Sequence, residues 1–309
     1  MKQIFSHACS TLPYVVVLGF LLGSETFSPF AMTNVVLQAL IFIPIVLIPA
    51  FRTGRMSYVD IGWPLGLTIV GVEVFFFGQG WIVRKALIGG AYLLIGGRMS
   101  LMAIAAWRLG HFNQELPRYR YQRRRWQARN FRERPAMLFE VAFQGLANAS
   151  ILATPAIIAS QGGLPYFALV EILALVIFFA AFTFESVADA QKIIFNAQAR
   201  EKGLKGAHCN VGLWRYCRHP NYFGEWNVWN ALALFTLPSL WALAPTTGLG
   251  LAAVLGGSLL FVSYLMYQVL TTYSGAVPSE FYSVNKRPGY AKYQLETNMF
   301  FPGPKKMAD

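Results

Sequence analysis

The sequence GLWRYCRHPNYFGEW, residues 212–226, decides how the rest of the chain is interpreted. It contains two arginines, a histidine, an asparagine, two tyrosines and a glutamate, which are groups able to bind a phosphorylated ligand. A long apolar run starts at Val228, directly after this cluster. Soluble enzymes do not usually place such a cluster against an apolar segment of membrane length. The pattern therefore predicts a site at the mouth of a membrane helix bundle.

The composition supports a membrane protein. Apolar residues make up 55% of the 309 residues and charged residues 13%, whereas a soluble domain carries about 25% charged residues. We therefore predict an all-α polytopic bundle with about seven or eight spans. Glu25 interrupts the first predicted span, so seven spans, with that segment at the interface, remain an alternative. The predicted spans are 11–31, 34–51, 58–78, 82–105, 137–160, 165–185, 221–244 and 248–270.

The net charge of +12 is distributed unevenly over the connections. The connections 52–57, 106–134 and 186–220 are basic, whereas 161–164 and 245–247 carry no charge. Lysine and arginine gather on cytoplasmic loops of membrane proteins, so the charge indicates topology and no nucleic-acid partner. We expect a multi-pass protein of a bacterial inner membrane or of the endoplasmic reticulum, with the basic loops in the cytoplasm.

The connection 106–134 holds nine arginines, several of them alternating with aromatic residues. One interpretation is a belt that contacts anionic lipid headgroups. The other is a cover over the phosphates of a bound nucleotide.

Polar residues inside apolar spans are energetically costly, so each is either a functional candidate or an interhelical hydrogen-bonding group. Glu185 and Asp189 lie four residues apart, which places them on one helix face at the cytoplasmic end of the sixth span. The other intramembrane candidates are Asp60, Glu73, Tyr92, Arg98 and Glu140.

Two common kinds of site are not predicted. The string GLGLAA at 248–253 matches G-x-G-x-x-A but follows no strand and lies in an apolar span, so it indicates helix packing. Cys209 and Cys217, each flanked by a histidine, match no standard zinc spacing. With Cys9 they make an odd number of cysteines near basic segments, so we expect free thiols and no metal.

Around the stretch 212–226, individual residues suggest roles in holding a nucleotide. Arg215 and Arg218 are suited to bidentate phosphate binding, and Glu185 and Asp189 to accepting from a ribose or an adenine amino group. Pro220 biases His219 towards a turn. Asn221 would then open the next helix near its positive end.

The C-terminal tail again combines cationic and aromatic residues, among them Tyr282, Arg287 and Tyr290. We expect them to close over the ligand from the cytoplasmic side.

The run G-L-W-R-Y-x-R-H-P-N-Y-F-G-E resembles the membrane proteins labelled DUF1295, which belong with the steroid 5α-reductase C-terminal domain family. Sterol reductases and, more distantly, isoprenylcysteine carboxyl methyltransferases are related to that group. The resemblance implies a helix bundle that holds NADPH in the cytoplasmic half of its C-terminal helices, without a Rossmann fold. Asn221 and Glu225 match the N-x-x-G-E motif of the reductases. The implied cofactor-binding residues are Glu185, Asp189, Arg215, Arg218, His219, Asn221, Tyr222, Glu225, Tyr282, Arg287 and Tyr290.

The chain departs from the steroid reductases at the catalytic positions. Asp60 stands, at best, where they have a glutamate, and Tyr92 is the tyrosine nearest to the expected position before Arg98. We take Asp60 and Tyr92 as catalytic candidates, with a protonated Asp60 donating to the oxygen of an enone. The implied division is 1–54, N-terminal membrane helices, and 55–309, a catalytic domain.

Three functions remain in competition. The first is an NADPH-dependent reductase of a lipophilic enone or alkene, with membrane lipid as a further partner of the protein. The second is an S-adenosylmethionine-dependent methyltransferase of a lipid or prenylated thiol, and the third is a non-catalytic membrane scaffold. Glu225 and the run Asp189-x-Gln191 favour the reductase.

Overall fold

The structure, a computed structural model, describes residues 2–306, and the side chains from residue 7 onward. No β-strand forms among these residues, and the all-α prediction is confirmed. π-Helical turns at Phe42–Leu47 and Val269–Tyr273 join α2 to α3 and α11 to α12. The helices are α1 Lys2–Leu22, α2 Ser28–Ile41, α3 Ile48–Thr53, α4 Val59–Phe77, α5 Ile82–Arg108, α6 Pro117–Ala128, α7 Glu133–Ala149, α8 Thr154–Gln161, α9 Leu169–Glu201, α10 Pro220–Thr247, α11 Leu249–Gln268, α12 Ala276–Lys286 and α13 Tyr290–Glu296.

Within residues 2–306, seven helical segments are long and apolar enough to cross a membrane, so the protein is an integral, multi-pass membrane protein. The predicted first span, 11–31, is wrong, because α1 ends at Leu22 and α2 begins at Ser28. Proline at the first turn of α2 suits a helix start, since its missing N–H would have no helical partner there. The seven segments are Ser28–Thr53, Val59–Phe77, Ile82–Arg108, Glu133–Gln161, Leu169–Glu201, Pro220–Thr247 and Leu249–Lys286.

Two basic connections that were expected as loops contain helix. Residues Pro117–Ala128 form α6, and α9 continues through its predicted end at 185 as far as Glu201. At 1.5 Å per residue the 33 residues of α9 span about 50 Å, whereas a bilayer core is about 30 Å thick. The C-terminal part of α9 therefore extends beyond the membrane and carries polar residues on a rigid helix.

The chain divides into two compact units. The first unit comprises Met1–Ile172 and Ala233–Val262, and the second comprises Leu173–Leu232 and Ser263–Asp309. This division does not follow the implied boundary at residue 55, which is a functional division and stays a prediction.

In the first unit, α6 packs on membrane helices through a buried apolar cluster. Tyr119 and Trp126 of α6 are buried together with Val46, Val59 and Met137. Three carboxylates on or next to the membrane helices add polar anchors, which are described below. Helix α6 is therefore a docked, ordered element, although its sequence is strongly basic.

Candidate functional site

The polar centre of the second unit is an ion pair between Arg218 and Glu280. Arg218 Nε lies 2.7 Å from Glu280 Oε1 and Nη2 lies 3.0 Å from Oε2, and both side chains are buried. Glu280 also contacts His219 Nε2 at 2.9 Å and accepts from Gln294 Nε2 at 2.6 Å. These hydrogen bonds compensate the cost of burying the two charges, because the carboxylate and the guanidinium both have several polar partners. It fixes α12 and α13 to the segment that precedes α10.

Arg218 was expected to bind a phosphate, but its guanidinium is engaged elsewhere in the structure. Besides Glu280 it donates to the carbonyls of Gln294 and Thr297. The backbone N–H of Arg218 donates to the carbonyl of Asn298. In this conformation Arg218 anchors the C-terminal segment, and phosphate binding would require it to leave these partners.

His219 stands between a buried ion pair and an aromatic ring. Its ring stacks on Tyr222 with centroids 5.1 Å apart and an interplanar angle of 5°. Burial lowers the pKa of His219, and the hydrogen bond and charge of Glu280 oppose this only in part. The imidazole is therefore neutral at neutral pH, and the expected cofactor contacts of His219 and Tyr222 stay predictions.

Gly224 allows α9 and α10 to pass unusually close together. A Cβ at Gly224 would lie 2.8 Å from Glu185 Cβ, 2.9 Å from its backbone nitrogen and 3.0 Å from its Cα. One turn away, Asn221 Nδ2 donates to Asp189 Oδ1 at 3.0 Å. The structure thus brings together the Glu185–Asp189 pair on α9 and the N-x-x-G-E motif on α10, both of which were singled out from the sequence.

A group of cations lies beside this contact, and sequence reasoning missed part of it. Lys192 lies one turn after Asp189 on α9, and its Nζ is 4.3 Å from the centre of the Trp214 ring. Both Lys192 and Arg287 act electrostatically on the buried Cys209 thiol, lowering its pKa against the larger, raising effect of burial. Arg287 also acts on His208, whose pKa is lowered first by burial and then by that charge. We call Lys192 and Arg287, together with the neutral imidazole of His208 between them in the sequence, the cationic cluster.

The remaining predicted residues of the second unit differ in their exposure to solvent. Arg215 ends the 3-10 turn Gly212–Arg215 and is exposed. Tyr290 is buried, and its ring meets that of His208 edge to face with centroids 5.8 Å apart. Tyr282 and Glu225 are half-buried. The thiols of Cys209 and Cys217 are free.

The two catalytic candidates, Asp60 and Tyr92, belong to the first unit, and each already has protein partners. Asp60 Oδ1 accepts from the Tyr119 hydroxyl at 2.5 Å, and Oδ2 accepts from Arg118. The Tyr92 hydroxyl donates to the carbonyl of Leu152 at 2.5 Å and is completely buried. Both oxygens of Asp60 thus act as acceptors, so donation to a substrate would require at least one of these bonds to break.

Two further carboxylates hold the basic connection 106–134 in place. Glu115 accepts from the backbone N–H groups of Met56 and Ser57, at 2.9 Å and 3.1 Å respectively. Glu140 Oε1 accepts from Gln122 Nε2 at 2.6 Å and from Trp126 Nε1 at 2.8 Å. The intramembrane candidate Glu140 is therefore an anchor for α6.

Comparison with known proteins gives a family and nothing finer. Neither a curated protein nor a solved structure is significantly similar to the chain. One family matches, over residues 46–297, which is most of the chain, and its description is "Protein of unknown function (DUF1295)". The matched region contains the motif segments of α9 and α10, the cationic cluster and Glu280. The chain therefore belongs to the DUF1295 family of membrane proteins.

Proposed function

We propose that the protein is a membrane reductase that binds NADPH through its second unit and reduces a carbon–carbon double bond of a lipophilic enone or alkene. The observation that carries this proposal is the close contact of α9 and α10 at Gly224, with the cationic cluster beside it. This arrangement places carboxylates and cations next to each other in one compact unit. NADPH needs both, since it has ribose hydroxyls and an adenine amino group as donors and several phosphates as anions.

The cationic cluster fits the phosphates. Lys192 and Arg287 both lie near the buried Cys209 thiol, and at this separation their like charges repel each other. A polyanion would relieve that repulsion and accept charge-assisted hydrogen bonds from both groups. The sulfonium ligand S-adenosylmethionine carries a positive centre and only one carboxylate, so it fits this cluster less well. Arg215, exposed on the neighbouring 3-10 turn, is available to extend the same surface.

The contact between α9 and α10 fits the sugar and the base. Asp189 accepts a hydrogen bond from the Asn221 amide at 3.0 Å, which orients its carboxylate, the kind of group that accepts from a ribose hydroxyl. Glu185 is buried against Gly224, so its position is fixed by packing. These residues would orient the cofactor rather than react with it.

Bound NADPH would supply a hydride, which adds to the β-carbon of an enone while the carbonyl oxygen takes up the negative charge. The protein then has to stabilise that oxygen and deliver a proton to the α-carbon. The sequence suggests a protonated Asp60 as the donor to that oxygen, and the structure gives Asp60 the partners Arg118 and Tyr119. A donor role for Asp60 would therefore follow a rearrangement of α6 and stays a prediction.

A binding titration tests the cofactor site. Full-length protein in detergent is titrated with NADPH, and binding is followed by the fluorescence of the reduced nicotinamide. Arg287→Gln removes one phosphate partner and should weaken binding about tenfold, the effect of one lost hydrogen bond to a charged group. Asn221→Ala should weaken it as well, because Asp189 loses its support. Arg200→Gln, an equal charge change at an exposed site of α9, is the matched control and should change nothing.

The competing functions give different results in the same titration. Unchanged affinity in both Arg287→Gln and Asn221→Ala would remove this site assignment. Binding of S-adenosylmethionine without NADPH would establish the methyltransferase alternative. Binding of neither ligand by well-folded protein would favour the scaffold.

A further inference from the structure

A shallow cavity of about 370 Å³ opens in the first unit where α3 ends and α7 begins. It is distinct from the proposed cofactor site, whose residues belong to the second unit. Its walls combine guanidinium groups with apolar surface. Among its lining residues are Phe51, Arg52, Gly54, Arg123, Arg134 and Met137.

The charges around this cavity are unbalanced. Glu133 is its lining carboxylate, and Arg123 neutralises it directly. Arg123 is held in addition by Glu115 at 2.9 Å and by the carbonyl of Gly54. The guanidinium of Arg123 thus binds other parts of the protein, and Arg52 and Arg134 remain as uncompensated positive charges.

Both remaining guanidinium groups are available to an external anion. Arg52 is exposed, and its side chain forms no hydrogen bond or ion pair with any residue that the structure describes. Arg134 is exposed, with its guanidinium 4.5 Å from the centre of the Phe51 ring and only a long 3.5 Å contact to the Phe51 carbonyl. The aromatic ring orients the guanidinium plane but does not use its hydrogen-bonding capacity.

The depth of the cavity follows from the helices that form it. Two candidate spans meet there, one ending at Thr53 and the other beginning at Glu133. The ends of spanning helices lie at the level of the lipid headgroups. Phe51, a wall of the cavity, is 53% exposed and belongs to the last turn of the apolar span. A ligand held here would have its anionic part near the arginines and an apolar part next to Phe51 and the membrane.

We propose that this cavity binds a phosphate group, and that its source is an anionic phospholipid of the surrounding membrane. Guanidinium groups suit phosphate because each presents a planar fork of donors, and two uncompensated ones line this cavity. The exposed aromatic wall favours a phospholipid over a dissolved phosphate or nucleotide, since only the lipid brings acyl chains. Anionic lipids attract basic residues at the membrane surface, and a preformed cavity adds a defined site to that general attraction.

Thermal unfolding of the purified full-length protein tests this proposal. The eight tryptophans supply the fluorescence signal, and the probe is dihexanoyl phosphatidylglycerol, which is soluble as single molecules. Dihexanoyl phosphatidylcholine is the zwitterionic comparison and sodium phosphate the soluble-anion comparison. A ligand that binds only the folded state raises the melting temperature in a concentration-dependent way, and this yields an apparent affinity.

Four variants locate the effect. Arg52→Gln and Arg134→Gln should each weaken the apparent affinity for phosphatidylglycerol about tenfold, because each removes hydrogen bonds to a charged group. Arg52→Lys keeps the charge without the fork and should fall between Arg52→Gln and wild type. Arg129→Gln is the matched control, because Arg129 is exposed, lies in the same basic connection and does not line the cavity. It should bind as wild type does.

Three results would overturn the proposal. An equal loss in Arg129→Gln would show general attraction of the basic surface. An equal response to phosphatidylcholine would show that the acyl chains alone bind. An equal response to sodium phosphate would show that the anion comes from solution and would remove the lipid as its source.

Discussion

Removing the carboxylate of Glu280 should destabilise the protein strongly, because it leaves a buried arginine without its ion-pair partner. Glu280 faces two hydrogen-bonding nitrogens of Arg218, at 2.7 Å and 3.0 Å, and one nitrogen each of His219 and Gln294. In Glu280→Ala the Arg218 guanidinium would remain buried with carbonyl partners only. Breaking a buried ion pair on one side costs about 3–5 kcal/mol, a large part of a total stability of about 5–15 kcal/mol.

The chain provides a matched control for this prediction. Glu296 on α13 contacts Lys292 at 3.6 Å and Lys305 at 3.3 Å, and the Lys292 side chain is 80% exposed. Exposed pairs of this kind contribute about 0–1 kcal/mol, so Glu296→Ala should be nearly neutral. The free energy of unfolding would be measured in detergent by denaturant titration, with tryptophan fluorescence as the signal.

A double variant separates the charge from the packing. Arg218→Met combined with Glu280→Leu removes both charges, so it should be more stable than Glu280→Ala alone. Recovery should be incomplete, because His219 and Gln294 still lose a partner. If Glu280→Ala were no less stable than Glu296→Ala, the ion pair would not hold the C-terminal segment, and the reasoning would be refuted.

Three further predictions follow from single contacts. Gly224→Ala would place a Cβ 2.8–3.0 Å from Glu185 atoms, and this overpacking should lower the free energy of unfolding by about 1–3 kcal/mol. Gly257 has open space around it, so Gly257→Ala should be neutral. Equal unfolding midpoints for the two variants would contradict the close contact of α9 and α10. Burial holds the pKa of His219 in the folded protein below its usual 6.5. The contribution of His219 to the free energy of unfolding is therefore fully present above about pH 6.5 and is lost as the pH falls from there towards the pKa of the folded state. His219→Gln should make unfolding less dependent on pH in this range, and an unchanged dependence would contradict the prediction. Asp60→Asn weakens two hydrogen bonds that hold α6, so trypsin should cleave the connection 106–134 faster than in the wild-type protein. An unchanged rate of cleavage would show that Asp60 does not anchor this helix.

Local periodicity accounts for the part of the fold that the sequence predicts well. The apolar spans are visible because about 20 apolar residues are needed to cross a bilayer. The i, i+4 spacing of Glu185 and Asp189 predicts a shared helix face, and Asp189 does meet Asn221 across the helix contact. The end of α9 was misplaced because hydropathy reports where the membrane ends and not where the helix ends.

Pairing between distant residues accounts for the part that the sequence does not reveal. Arg218 looks like a phosphate ligand in isolation, and its partner Glu280 lies 62 residues further along the chain. Asp60 looks like a buried acid, and its partner Arg118 lies 58 residues away in a connection that was interpreted as a lipid-contacting belt or as a cover over a nucleotide. Only the tertiary structure decides which of several arginines meets a given carboxylate. Lys192 belongs to the basic connection 186–220, and the sequence does not show that Arg287 comes near it.

Equilibrium binding of NADPH to the wild-type, full-length protein is the most direct measurement of the central claim. Detergent-purified protein would be titrated in parallel with NADPH and with S-adenosylmethionine under the same conditions. The cationic cluster and the contact at Gly224 predict saturable binding of NADPH that weakens with rising salt, since phosphate contacts are electrostatic. Saturable binding of S-adenosylmethionine with none of NADPH, or no binding of either ligand to folded protein, would contradict the account.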